Sequence, residues 1–537
     1  MKPLLSLAAS ALLYLPVSGQ NSLPVVTGVT ATRSLTGYSI SYRLTDAEHD
    51  KCTVYIRASI DGGKTYRIKP LAATGDVGEG ISEGNHTITW TGNLLAGQMP
   101  GTSIIFKVMA DDGYRPSLQE ISSKIDSNRI YRNFLAVYGN NSPANPEHYR
   151  QTRETISSFY QGLGLQTELD TFFSNVPDEI VPVREGINIL ATIEGMDGSD
   201  STILMSGHYD TVEDTPGADD NNMSVAICME AATVLKDYTF HHNLKFAQWD
   251  LEEIGLLGAY YYALSAKSLD TKAVVNFDGM SIYKEEPNSQ SVPTGFDLLF
   301  PAGYQKAEAD SFRGNFITMI TDFKSAGLSQ RAVELAPQVT PTLKYVDLTC
   351  PDPNCLVAAD LRRSDHAPFW DRLVPAIFFT STTEFRSACY HQPCDTVANL
   401  NFSTKVLQLA TSLMADKAGI MHAGHGFSQQ IATGITENQP APVTVNKPYP
   451  NPVDHSCFFE ITLTEAADVA ILVTDLTGKK TDLVETHLSA GQQTLSWTPS
   501  RSIAKGTYVA QVLVNGKPVQ SFQLAVAIDP DRLSHGH

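Results

Sequence analysis

Positive charge is scarce in this sequence. Across 537 residues, 39 Lys and Arg stand against 58 Asp and Glu, a formal net charge of -19 at pH 7. A surface of that sign does not attract phosphate, so nucleic acid is set aside as a partner. Long apolar runs are missing beyond the first twenty residues. Nothing later approaches the ~20 apolar residues that a membrane-crossing helix needs. Cysteine is sparse too, at seven residues, and no two stand in CxxC spacing, which counts against a zinc–thiolate site. Charged residues make up 18% of the chain against 42% hydrophobic. That balance excludes wholesale disorder, and the length calls for roughly two to four domains.

What is present begins at the amino end. "MKPLLSLAASALLYLPVSGQ" carries Lys2, an apolar run to Pro16 and then small residues. This is the layout of a secretory signal peptide over 1–20, with cleavage near Gly19 or Gln20. Secretion sets an oxidising context. In it, "CPDPNC" and "CYHQPC" read as two local disulfides, Cys350 with Cys355 and Cys389 with Cys394. Cys52, Cys228 and Cys457 read as unpaired.

Patterning divides the remainder. Residues 22–120 alternate apolar and polar positions, as in "YSISYRL" and "SIIFKVMA", and predict a β-sandwich of the immunoglobulin or fibronectin type III kind. Over 128–424, strand-like runs ("NILATIEG", "STILMSGHYDTV", "NLKFAQWDL", "AVVNFDGM", "PAIFFTS") alternate with helical stretches. One of these, "SVAICMEAATVLKDY", places Val225, Cys228, Ala232 and Leu235 on one face. The alternation predicts an α/β domain with helices on both faces of its sheet. A Pro-containing linker over 425–446 leads to a last β-like segment, 447–530.

Potential metal donors fall at strand ends of the α/β segment, where such folds place function. "SGHYDTV" offers His208 and Asp210, "GADDNN" Asp219 and Asp220, "WDLEEIG" Glu252 and Glu253, "NFDGM" Asp278, and "CYHQPCDT" Tyr390 and His391. Each alone has an ordinary reading as a helix cap or a solvated carboxylate. Their shared position type points instead to one site. Imidazole and carboxylate without thiolate suit Zn²⁺, with Mn²⁺ or Co²⁺ as alternatives. Five donors meet the need of two ions that share one bridging carboxylate.

The order HxD, ADDN, EE followed by GLLGA, a strand-end FD and YHxxxDT resembles the co-catalytic di-zinc aminopeptidase family, whose relatives include glutamate carboxypeptidase II and the glutaminyl cyclases. The resemblance covers roughly 190–400. It implies two Zn²⁺ per chain, one held by His208 and Asp278, the other by Glu253 and His391, with Asp220 between them. It implies Glu252 as general base, Tyr390 as hydrogen-bond donor to the developing oxyanion, and Asp210 as the group that holds the His208 ring. Asp365 and His366 of "SDHAPFW" are expected around the site, not in the donor set. Many relatives have a small residue pair after the bridging aspartate, where this sequence has Asn221, Asn222 and Met223. The implied activity is a secreted metallo-exopeptidase acting on the amino ends of peptides or proteins. A glutaminyl cyclase-like acyltransferase and a catalytically inactive surface adhesion protein are the alternatives. Finally, "PYPNPVDH", "ILVTDLTGKK" and "KGTYVAQVLVNGKPV" resemble the C-terminal sorting domains of the type IX secretion system. This implies that machinery as a partner, and export through periplasm and outer membrane to the cell surface or beyond.

Overall fold

The computed structural model describes residues 21–527, apart from 34–36, 61, 64–65, 67, 71, 91–103, 175–184, 197–200, 424–426, 431–442, 476–479 and 501–502. The expected signal peptide, most of the expected linker and the end of the chain lie outside the described residues.

The central α/β region is built on an eight-stranded sheet. Its strands are β1 (Gln166–Phe173), β2 (Glu185–Ile193), β3 (Thr202–His208), β4 (Asn243–Trp249), β5 (Thr271–Phe277), β6 (Ile317–Thr321), β7 (Tyr345–Thr349) and β8 (Ala376–Thr380), in the spatial order β7-β6-β8-β5-β3-β4-β2-β1. The four central strands, β8, β5, β3 and β4, run parallel. Antiparallel β6 and β2 flank them, so the sheet is mixed. Buried on both faces, β3 ("TILMSGH") and β5 ("TKAVVNF") read as near-continuous apolar runs.

Helices cover both faces. On one lie α1 (Leu118–Ser123), α2 (Ser127–Val137), α3 (Pro146–Gly162) and α4 (Met223–Leu235). The other carries α5 (Leu257–Leu264), α6 (Pro301–Ala309) and, further on, α8 (Ala367–Asp371). Between those last two in sequence, α7 (Ala326–Val339) returns to the first face, as does α9 (Leu400–Ala418). The helix α4 has no single buried face: all its residues but Thr233 are buried, because α2 and α9 press on the side turned away from the sheet. Helix α1, which begins at Leu118, buries Ile121 in the α/β core. No helix among the described residues is long and apolar enough to cross a membrane.

Two smaller β regions accompany it. The first pairs a sheet of Val25–Arg33, Tyr38–Thr45, Gly84–Trp90 and Ala73–Gly75 with one of Cys52–Ser59, Gly78–Ile81, Ile105–Asp111 and Phe427–Gln430. Ile40, Leu44, Val54, Ile56, Trp90 and Phe106 fill the space between. The strand Phe427–Gln430 falls in the stretch expected to be linker, yet it pairs antiparallel with Ile105–Asp111. Four residues carry too little alternation to declare a strand, and their partner is far away in sequence. The last β region stacks a three-stranded sheet on a four-stranded one around Phe459, Ile461, Ile471, Trp497 and Val512.

Candidate metal centre

The carboxyl ends of the parallel strands converge. His208 closes β3, Glu252 and Glu253 follow β4, and Asp278 follows β5. Asp220 comes from the turn that leads into α4. That turn starts at Gly217, whose φ of +63° suits a residue without a side chain; a Cβ there would stand 2.4 Å from Thr211 Cγ2 and 2.7 Å from the Asp220 carbonyl. Gly258 of "GLLGA" lets α5 start against β2 and β4, since a Cβ would meet Asn188 Oδ1 at 2.3 Å.

Asp220 stands between two groups. Its Oδ1 is 3.3 Å from His208 Nε2, which is also 3.7 Å from Asp278 Oδ1 and 3.9 Å from Glu252 Oε2. Its Oδ2 is 3.1 Å from His391 Nε2, which is 3.1 Å from Glu253 Oε2. Burial works to raise the Asp220 carboxyl, but the His208 and His391 imidazoles on either side override it and hold the group well below its ordinary range. For His391 the balance is the reverse: burial pulls it down, and Asp220 and Glu253 carry it up to about 10. Burial also raises Glu252 far above the carboxylate range; His208 opposes this while Asp278, Asp365 and Glu253 reinforce it. Such a density of buried carboxylate calls for cations.

The donor atoms fit divalent ions. His208 Nδ1 lies 3.0 Å from the Asp210 carbonyl, which fixes the proton there and leaves Nε2 as a bare lone pair. Nε2 and Asp278 Oδ1 are both buried without a hydrogen-bond partner, although they face each other at 3.7 Å. Two donors each ~2.0–2.1 Å from a tetrahedral zinc stand roughly 3.4 Å apart. The four spacings from Asp220 outward, 3.1, 3.1, 3.3 and 3.7 Å, bracket that value.

Asp210 meets both the His208 ring and the turn after β4. Its carboxylate accepts the backbone N–H groups of Glu252 and Glu253, both at 3.1 Å, and stands 3.5 Å from His208 Nδ1. The His208 ring meets the Asp210 carbonyl as well, at 3.0 Å. Consecutive amides in the turn after β4 are strong donors, and the carboxylate takes both.

The loop of Tyr390 and His391 is closed by the Cys389–Cys394 disulfide, and Cys350–Cys355 forms the second bridge. Cys52, Cys228 and Cys457 are free and buried. The Tyr390 ring stacks on His391 at 3.8 Å. Its hydroxyl accepts from Arg363 Nη2 at 3.2 Å, so its own proton stays available, and burial raises its pKa. Asp365 is fully buried with both carboxylate oxygens unpartnered. Burial raises it far above its usual range, with Asp278, Asp210 and Glu253 adding to the effect. His366 turns elsewhere. It stacks on Phe378 at 4.4 Å and bonds the Leu361 carbonyl through Nε2 at 2.8 Å, and burial pushes it down to about 3.

Residues 188–416 match the profile of peptidase family M28. Among curated proteins, the chain is 26% identical over 245 residues to "Uncharacterized protein YfbL" of Escherichia coli, covering 43% of this chain and 70% of that protein. It is 25% identical over 252 residues to Aminopeptidase Y of Saccharomyces cerevisiae, covering 44% of this chain but only 41% of that relative's length. A solved aminopeptidase from Aneurinibacillus sp. strain AM-1 superposes with a TM-score of 0.42 at 14% identity, covering 57% of this chain and 97% of that one.

Two supports within this segment escaped the sequence reading. Asp395, the aspartate of "YHQPCDT", accepts the amides of Asp219 at 3.0 and 3.2 Å and of Asp220 at 3.1 Å. It thereby ties the His391 loop to the Asp220 turn, and its place inside a quoted motif was the available signal. Asp250, first of the "DLEE" acids, points away from the cluster to the Tyr149 hydroxyl and to Ile187 N, and burial lifts it to about 8.

Proposed function

We propose that this chain is a secreted aminopeptidase that works with two zinc ions. The observation that carries the reading is Asp220, whose two oxygens face two separate imidazoles, each accompanied by a further carboxylate. His208 and Asp278 would hold one ion, Glu253 and His391 the other, and Asp220 both. Bound there, the ions supply Lewis acidity to a water and to the substrate carbonyl. Glu252 is buried near enough to His208 and Asp278 to share a metal with them, but the resemblance leaves it outside both sets; as general base it would take a proton from water and pass it to the leaving amine. The Tyr390 hydroxyl donates to the developing oxyanion. Asp210 and Asp395 hold the two turns from which Glu252 and Asp220 project.

Aminoacyl p-nitroanilides, assayed with metal analysis and with and without a chelator, test this. The expected result is chelator-sensitive turnover with about two zinc ions per chain; metal-replete protein inert on free and blocked peptides alike refutes it. We also propose export, with 1–20 as leader and 447–530 as the address read by type IX machinery. The support is the sequence of those segments. Retention inside the cell of a chain lacking 447–530, against release of the full chain, is the corresponding test.

A further inference from the structure

The metal donors gather at the carboxyl ends of the parallel strands, and the amino ends of the same strands border a second opening. It is a cavity of about 1510 Å³, part of it open to solvent, between the α/β region and the first β region. Thr202, first residue of β3, lines it, as do Asn243 and Lys245 of β4. Thr202 and His208 are the two ends of β3, and at about 3.3 Å per residue that strand sets the cavity roughly 20 Å from the metal centre.

The opposite wall is the outer face of the sheet containing Cys52–Ser59 and Ile105–Asp111. Alternation sends Val54, Ile56, Phe106 and Val108 into the sandwich core and turns Arg57 and Lys107 toward the cavity. These two are direct cross-strand partners. Like charges directly opposite each other destabilise a sheet, and here the α/β region covers them: Arg57 is 4% exposed and Lys107 is half-buried. Burial lowers the Lys107 ammonium from its usual range; Glu194 opposes this and Arg57 adds to it. Lys245, also half-buried, brings a third cation from β4.

The three are held in place. The Arg57 guanidinium donates to the Ile56 carbonyl at 2.8 Å and to the Met196 carbonyl, neutral acceptors that fix the group without cancelling its charge. Lys107 Nζ lies 5.3 Å from the centre of the Tyr66 ring, and Lys245 Nζ donates to the Tyr262 hydroxyl at 2.9 Å. Among the described lining residues, the one acid that is not exposed is Glu194; Asp270, Glu168 and Lys267 stand at the rim, the last two paired with each other. The net charge of -19 repels anions at long range, so only such a local cluster can hold one.

We propose that this cavity binds a divalent oxyanion of the phosphate or sulfate kind, held by Arg57, Lys107 and Lys245 at the joint between the two regions. The oxyanion is either a free inorganic ion or the end group of a phosphate or sulfate ester. Its oxygens accept from a guanidinium and two ammonium groups at once, and its charge offsets the repulsion within the Arg57–Lys107 row. The inference does not depend on the peptidase reading.

Calorimetric titration of zinc-loaded full-length protein with inorganic phosphate, inorganic sulfate and glucose 6-phosphate, at fixed ionic strength, is the test. At least one probe is expected to bind with a Kd below about 1 mM, and Lys107→Gln and Lys245→Gln should each weaken it at least ~10-fold. A tenfold preference for glucose 6-phosphate over inorganic phosphate assigns the ester as the source, and equal affinity assigns the free ion. Thermal unfolding gives a second readout. Without anion, Lys107→Gln should melt at or above the wild-type temperature, because it removes the repulsion with Arg57; phosphate should raise the melting temperature of the wild type and not of the variant. No binding of any probe up to about 10 mM, or binding that both variants leave unchanged, as an anion seated on the metal centre would give, overturns the proposal. So does a folded Lys107→Gln protein less stable than wild type with and without phosphate, since Lys107 would then serve the fold through Glu194.

Discussion

Replacing Asp210 separates two ways in which its carboxylate could serve the site. It accepts the amides of Glu252 and Glu253 at 3.1 Å each and stands 3.5 Å from the His208 ring nitrogen. Asp210→Ala leaves both amides without an acceptor in a buried turn. Each such orphan costs about 1–3 kcal/mol, so the loss is about 2–6 kcal/mol, a large part of an ordinary stability of ~5–15 kcal/mol. Asp210→Asn is the sharper probe. It keeps one oxygen for one amide, turns an NH₂ toward the other, and leaves the Asp210 carbonyl on His208 untouched. If the carboxylate serves the amides, Asn lets the turn after β4 drift and misplaces Glu252. A shift near 1 Å costs roughly 100-fold in kcat, and zinc affinity falls with it, because Glu253 rides on the same turn. If the carboxylate instead orients the His208 ring, zinc affinity falls by about 10–100-fold and kcat at saturating zinc is preserved. Zinc titration and kcat measured on the same preparation decide; loss of affinity with kcat intact refutes the amide-clamp account.

Glu252→Gln should abolish turnover with zinc content unchanged, whereas Glu253→Gln should lose zinc from the His391 side; metal analysis of both variants checks the asymmetry. For His366, burial depresses the folded pKa to about 3 against ~6.5 unfolded. Stability contributed by the neutral ring is therefore present above about pH 6.5 and lost as pH falls toward 3, reaching about 2 kcal/mol at pH 5. Urea unfolding of wild type and His366→Phe at pH 7 and pH 5 should show that much less acid sensitivity in the variant. Removing the Cys389–Cys394 bridge with paired Cys→Ser changes should lower zinc affinity and kcat/KM together, since the freed loop carries both His391 and Tyr390; unchanged values for both would show that Asp395 alone holds the loop.

His208, Glu252, Glu253 and Asp278 were legible because each ends or closely follows an apolar run that reads as a buried strand, whereas Asp220 and His391, in a turn and a loop, were legible only through the motifs around them. Their supports were less so. The direction of the Asp210 carboxylate depends on which amides the neighbouring turn exposes, and no spacing within "SGHYDTV" encodes that. Asp395 stood in a motif, but its partners belong to a turn far away in sequence. The cationic cavity was illegible for a different reason. Arg57 and Lys107 each read as an ordinary outward position of an alternating strand. Only the register of two strands far apart in sequence sets them opposite each other, and only the α/β region covers that face.

Adjacent Glu252 and Glu253 would repel wherever both were buried and equivalent, and here both are largely buried. The structure makes them inequivalent. One carboxylate, Asp210, fixes both backbones from below, and the side chains diverge: Glu252 stands 3.9 Å from His208 Nε2, and Glu253 stands 3.1 Å from His391 Nε2. On the proposed reading the pair needs adjacency: a base would sit beside the water it deprotonates, and a ligand on the metal. Rooting both in one clamped turn fixes their relative position to within a peptide unit, which two separate loops could achieve only with further restraints. The turn is also why substitutions at these neighbours should have opposite signatures. What ties the pair together is the backbone, while what distinguishes them is the imidazole each one faces.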